Sequence, residues 1–140
     1  MTRYADDDPY TYDDSPVLKN KQGVKDQATL DRLERNLTAI RMLSEPPEGK
    51  FDYQHLKDIH KHIFQDIYTW AGMERSVPIS KGGNQFATPA YIPKLARQLF
   101  ANLAEDNYYL GLSAQDFAQN AAHFMIELNV LHPFRDGNGR

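Results

Sequence analysis

The chain has no cysteine, which removes a disulfide framework, a thiolate metal site and a cysteine nucleophile together. It has no apolar run approaching the length of a membrane span, and its opening Met1-Thr2-Arg3-Tyr4 followed by aspartates lacks the order of a secretory leader. Synthesis in the cytoplasm, with no membrane partner, is therefore expected. Basic charge is scarce as well: 16 Lys and Arg against 19 Asp and Glu give a formal −3. No patch of Lys and Arg interleaved with aromatics occurs, so no direct nucleic-acid partner is expected. What is present suits one globular core, since a chain of this size buries roughly two thirds of its unfolded surface and 41% of its residues are hydrophobic and 25% charged.

The negative charge is concentrated at the start. Asp6, Asp7, Asp8, Asp13 and Asp14 against Arg3 put −4 on the first sixteen residues. With Tyr4, Tyr10, Tyr12, Pro9 and Pro16 in the same stretch, residues 1–25 read as an acidic, Tyr-rich surface arm of extended or disordered chain; the alternatives are that its tyrosines dock on the body or accept label in self-modification. Residues 26–140 then form the folded domain.

From there the pattern is helical, and the fold class read from it is all-α. Leu30, Leu33, Leu37, Ile40 and Leu43 recur at helical spacing, with Asp26 or Thr29 as cap and Pro46-Pro47 as a stop. A second helix is expected from Asp52 to near Gly72, carrying Leu56, Ile59, Ile63, Phe64 and Ile67 inward. Its His55, His60 and His62 read as surface or packing residues, because 60 and 62 do not share a face and no H-E-x-x-H pattern occurs. Residues 76–86 break the helical period: Val77 and Ile79 alternate with polar neighbours, Gly82-Gly83 supplies a tight turn and Phe86 opens a return strand. That is a short β-hairpin, with Pro78 confining its first strand to an edge. Thr88-Pro89 opens the next helix, which Pro93 makes begin late, with Ile92, Leu95, Leu99 and Leu103 as its stripe. Ser113 to Asp116 is a short capping box, and Phe117, Ala121, Phe124, Leu128 and Leu131 follow it as an expected buried face.

The last helix delivers the most informative run, His132-Pro133-Phe134-Arg135-Asp136-Gly137-Asn138-Gly139-Arg140. An imidazole titrates near neutrality and can take a proton from an attacking hydroxyl, so His132 is the candidate base. Mg²⁺ uses few protein ligands and fills its shell with water and phosphate oxygens, so Asp136 is the candidate ligand. Gly137-Asn138-Gly139 allows backbone conformations whose N–H groups converge on a phosphate, and Arg140 can clamp one. Phe134 is expected to turn inward as a core anchor. Taken singly, each piece is an ordinary turn or helix end; together in one stretch they form a nucleotide-phosphate site. An EF-hand reading fails because Arg140 falls where an oxygen ligand is needed, and no Walker A sequence occurs.

This run resembles the signature of the Fic family, His-Pro-Phe-x-Asp/Glu-Gly-Asn-Gly-Arg, at every fixed position. The similarity extends upstream through Val17 to Lys21, Trp70-Ala71-Gly72 with Arg75, and Ile79 to Gly83. The resemblance implies a helical bundle with a hairpin flap, and transfer of AMP from ATP, with Mg²⁺, onto a hydroxyl side chain of a target protein. It makes Ser80, Lys81, Gly82, Gly83, Asn84, Gln85 and Phe86 the target-binding flap, with Lys81 and Gly82 also touching the nucleotide. Gly139 separates the chain from the Doc branch, which has lysine there and acts as a kinase. The family signature normally continues to a second arginine within a further helix; the chain ends at Arg140, so a domain incomplete at its C-terminus, with weak activity and an exposed apolar face, is expected. Ser44-Glu45-Pro46-Pro47-Glu48-Gly49 matches the letters of the family's inhibitory helix, but two adjacent prolines cannot sit inside it. Inhibition is then expected from a small antitoxin partner or from sequence beyond Arg140. The likeness to toxins and effectors places the protein in a bacterial cytoplasm or, after delivery, in a host cell. The alternatives are a non-catalytic module that binds an antitoxin or target strand, and transfer of another nucleotide-derived group.

Overall fold

The Asp26 carboxylate accepts from the backbone N–H of Thr29 at 3.0 Å and from its hydroxyl at 2.6 Å, and this cap opens helix α1, Gln27–Leu43. The computed structural model describes residues 8–140. Asp6, Asp7, Tyr4 and the rest of residues 1–7 of the acidic arm lie outside the described residues. The described residues hold four α-helices and one two-stranded antiparallel sheet, in the order α1, α2 (Tyr53–Phe64), β1 (Ser80–Lys81), β2 (Asn84–Gln85), α3 (Ile92–Glu105) and α4 (Ala114–Leu131). The fold is thus mostly helical, as the periodicity predicts. Among the described residues no helix is long and apolar enough to cross a membrane.

The described residues group into two units. The first comprises those up to Lys50 together with Gln54–Met73, and its core is Val17, Leu30, Ile63, Phe64, Ile67, Tyr68, Trp70 and Ala71. Tyr10, Tyr12, Leu18 and Val24 of residues 8–25 pack against that core. Only the first half of the expected α1 stripe is covered: Leu30 is buried, whereas Ile40 and Leu43 are exposed and Thr38 takes an inward place. Its hydroxyl donates to the Glu34 carbonyl at 2.7 Å, which satisfies the one polar atom that burial would otherwise strand.

Helix α2 ends at Phe64, eight residues before the expected stop near Gly72. The carbonyls that follow it are taken by the N-terminal segment: Lys21 Nζ donates to Gln65, Gln22 Nε2 to Asp66 and the Lys21 backbone N–H to Ile67. Arg41 grips the Asp66 carboxylate with two bonds of 2.7 and 2.9 Å, holding the chain in its turn. The three histidines of α2 bond backbone. His55 Nε2 and His62 Nε2 donate to the Pro47 and Arg41 carbonyls at 3.0 Å, and His60 Nδ1 accepts from the Gly72 N–H at 2.9 Å.

The second unit comprises Phe51–Tyr53 and Glu74–Arg140. Here α3 buries Ile92, Ala96 and Leu99, while Leu95 of the expected stripe is 47% exposed. Ser113 caps α4 through a bond from the Asp116 N–H, as the capping box predicts. The buried face expected on α4 needs correction. Only Leu131 is buried; Ala121, Phe124 and Leu128 are half-buried, and Phe117 is 50% exposed, as are Met125, Ile126 and Val130 to a greater degree. Periodicity tells which residues share a face and leaves open how much partner surface covers it.

Candidate active site

Helix α4 ends at His132, which adopts a left-handed conformation with φ 50° and ψ 64°. That region costs a residue with a Cβ about 1–3 kcal/mol, so surrounding contacts must hold it. The proline that follows disfavours continued helix, and the turn sends Pro133, Phe134 and Arg135 into the interior while the imidazole stays half-buried. Its Nδ1 faces the Asn129 carbonyl at 3.3 Å. A carbonyl can only accept, so the proton sits on Nδ1 and Nε2 keeps a lone pair. Burial lowers the imidazole below its usual 6.5; the bond to Asn129 opposes this, and the cationic charges of Arg75 and Lys81 add to it while Asp136 works against it. A neutral imidazole with one free nitrogen is the form able to accept a proton at neutral pH.

Beyond His132 the chain turns through residues closed by one side chain. The Asn138 amide pairs with the backbone of Phe134 on both sides, accepting from its N–H at 2.9 Å and donating to its carbonyl at 2.8 Å. Asn138, expected at the phosphates, therefore spends its amide on the loop itself. Within that loop Gly137 has φ 76°, Asp136, Gly139 and Arg140 are exposed, and nothing lies within 4 Å of where a Gly139 side chain would begin. Phe134, 2% exposed, is the anchor of the loop.

The hairpin forms at the expected place but is shorter than expected. Ser80 pairs with Gln85 and Lys81 with Asn84, and Gly82 and Gly83 at φ 58° and 81° make the two-residue turn that suits strand twist. Phe86 follows β2, its N–H donating to the Ile79 carbonyl at 3.1 Å. Its ring lies on the His132 imidazole, with centroids 3.9 Å apart and planes 5° apart. Of the expected site residues, His132, Asp136, Lys81 and Phe86 are thus brought into one neighbourhood, whereas Gly82, Gly83, Asn84 and Gln85 present an exposed hairpin.

Sequence reasoning assigned no part to Arg75. It is 2% exposed, and its guanidinium donates from Nε to the His132 carbonyl at 2.6 Å, from one terminal nitrogen to Val77 at 2.8 Å and from the other to Ala87 and Leu131. Its own backbone N–H donates to Pro133 at 2.8 Å. The signal available in sequence was only an arginine after Trp70-Ala71-Gly72, and arginine is almost never this buried without such partners. A separate apolar groove of about 550 Å³ runs beside the hairpin exit, lined by Phe86, Leu95, Leu99, Ile126, Val130 and Leu131 among others. It includes none of residues 132–140, so it is distinct from the motif loop.

The model of the Fic/DOC family matches residues 50–140. The chain belongs to that family. Protein adenylyltransferase VbhT of Bartonella schoenbuchensis is 44% identical over 144 residues, covering all of this chain and 30% of its own length. The probable protein adenylyltransferase y4lH of Sinorhizobium fredii is 42% identical over 142 residues, covering all of this chain and 74% of its own. The chain thus spans less than a third of one curated relative and about three quarters of the other. Among solved Fic structures, the BepC effector of Bartonella tribocorum with bound AMPPNP superposes at a TM-score of 0.84 with 33% identity, over 94% of this chain and 71% of that one. The N-terminal Fic domain of a VirB-translocated Bep effector of Bartonella quintana with bound ADP gives 0.81 and 35%, over 94% and 70%.

Proposed function

We propose that this Fic chain transfers AMP from ATP to a hydroxyl side chain of a target protein. The observation that carries the reading is the state of His132: a half-buried imidazole whose Nδ1 proton is directed at Asn129, leaving Nε2 free at the head of a glycine-rich loop. The names of the two relatives described above and the nucleotides in the two structural neighbours support the same reading.

In the proposed reaction the target oxygen attacks the α-phosphorus in line and its proton passes to His132 Nε2. The bond from the α-phosphorus to the bridging oxygen breaks, and pyrophosphate leaves. The backbone N–H groups of Gly137, Asn138 and Gly139 bind phosphate oxygens, with Lys81, Gly82 and Arg140 adding donors and charge. Asp136, an exposed carboxylate in the same loop, suits Mg²⁺, which is held by one or two carboxylates with phosphates and water. Among the described residues no cluster of three His, Asp or Glu exists, and a magnesium bound largely through the nucleotide needs none. When bound, Mg²⁺ would supply neutralisation of phosphate charge. Residues 80–86 would hold the target as an added strand along the hairpin edge.

Control by a separate small inhibitor protein, or by sequence beyond Arg140, belongs to the same proposal, because Ser44 ends α1 and residues 45–50 carry no helix in which the Ser44–Gly49 match could act. Delivery into a host cell is supported by the translocated effectors among its neighbours. The test is label transfer from α-labelled and γ-labelled ATP into lysate proteins. Label from the α position alone supports AMP transfer; label from the γ position, or from neither, overturns it.

A further inference from the structure

We propose that Arg75 is a positioning residue that sets the flap against the base, so that target register and proton acceptance are held by one guanidinium. The inference rests on the AMP-transfer reading for its functional meaning and on geometry for its substance. A hairpin of two residue pairs has little stability of its own, and its direction is decided at its roots. Those roots are Val77 before β1 and Ala87 after β2, and Arg75 donates to both carbonyls. The same fork reaches Leu131 and His132 at the end of α4. These terminal carbonyls have no helical partner and carry the negative end of the helix dipole, which a cation suits.

One planar group therefore spans three segments. The backbone bond between hairpin exit and helix, from the Ala87 N–H to the Val130 carbonyl at 3.4 Å, is long. The arrangement also holds His132 in its costly left-handed turn by the bond to its carbonyl, and it places Phe86, one residue before Ala87, flat on the imidazole. A proton acceptor of Nδ1–H form must present Nε2 in the ring plane, and a stacked ring restrains that plane without covering the nitrogen. Lysine could not substitute, because a tetrahedral ammonium offers three donors from one point and cannot reach carbonyls laid out for a fork.

The test uses the full chain with Arg75→Lys, Phe86→Leu, the double variant and a His132→Ala control. Initial rate of label incorporation from α-labelled ATP at saturating ATP, apparent KM for ATP, and the NMR resonances of the His132 ring C–H groups are measured. We expect Arg75→Lys to slow transfer roughly 10- to 100-fold, the scale of a misplacement of about 1 Å, with KM for ATP unchanged within about twofold. The His132 ring resonances, displaced upfield by Phe86, should move downfield. Phe86→Leu should reproduce the rate loss, and the double variant should lose no more than the worse single. Unmoved His132 resonances in Arg75→Lys, or a raised KM with the rate preserved, would overturn the proposal. If Arg75→Lys fails to fold, Phe86→Leu decides: a wild-type rate overturns it. If the wild-type chain transfers no label, the AMP-transfer reading falls, and the resonances alone decide whether Arg75 couples flap and base.

Discussion

The ring of Phe86 lies flat against the imidazole of His132, 3.9 Å between centroids and 5° between planes, and the two residues are separated by 46 positions in the chain. The stack removes one face of the imidazole from water and fixes its plane, while the Asn129 carbonyl fixes its tautomer. A half-buried neutral histidine in that state has the form that the proposed base requires.

Replacing His132 with alanine should abolish AMP transfer, a loss on the order of 10²–10⁴ in rate or greater, and leave the chain folded. The substitution removes the side-chain contacts to Asn129 and Phe86 but keeps the main-chain bonds, from its N–H to Leu128 and from Arg75 to its carbonyl. Circular dichroism and label transfer measured on the same sample check both halves; a variant that keeps its transfer rate removes His132 as base.

Transfer should fall on the acid side with a midpoint below 6.5. Burial lowers the imidazole and thereby favours the neutral, proton-accepting form at lower pH. The same depression costs stability as pH falls from the unfolded value toward the folded one, because the unfolded chain then binds the proton more readily. A rate profile across the mildly acid range, with His132 followed by NMR, tests the sign; a midpoint at or above 6.5 contradicts it.

Asn138→Ala should weaken nucleotide binding through the shape of the loop. Two hydrogen bonds to Phe134 are lost, each worth about 0.5–1.5 kcal/mol net, so KM for ATP should rise roughly tenfold with little change in helix content. Asn138→Asp, which keeps the acceptor and loses the donor, should fall between. Equal KM values in wild type and Asn138→Ala would mean that the loop holds its form without the amide.

Gly72→Ala should destabilise the chain without touching the site, by about 1–3 kcal/mol for the left-handed conformation alone. Gly72 has φ 79°, and an added Cβ would lie 2.8 Å from the Lys57 carbonyl oxygen and from Lys61 Cβ. A lowered urea midpoint at unchanged slope is the expected result. An unchanged midpoint would show that the backbone yields there.

Local rules explain why much of this was legible in sequence. The Asp26 and Ser113 caps, the stop before Pro46-Pro47, the Gly82-Gly83 turn and the inward Phe134 each depend on a few consecutive residues, and each stands where those residues place it. The nine-residue motif was legible for the same reason. Errors arose where an outcome depended on distant chain. Helix α2 stops at Phe64, and the carbonyls just past it, of Gln65 and Asp66, are met by Lys21 and Gln22 from distant chain; Phe117 lies half in water because covering depends on neighbours that no periodicity names.

Sequence by itself therefore determined the helices, the hairpin turn, the family and the identity of the candidate base, all carried by short runs of residues. Only the tertiary structure decided what holds that base: Phe86 on its ring and Arg75 on its carbonyl, from segments 46 and 57 positions away. Contacts of that separation follow from how the chain closes on itself, and a buried arginine in sequence looks like any other until the carbonyls it gathers are in place.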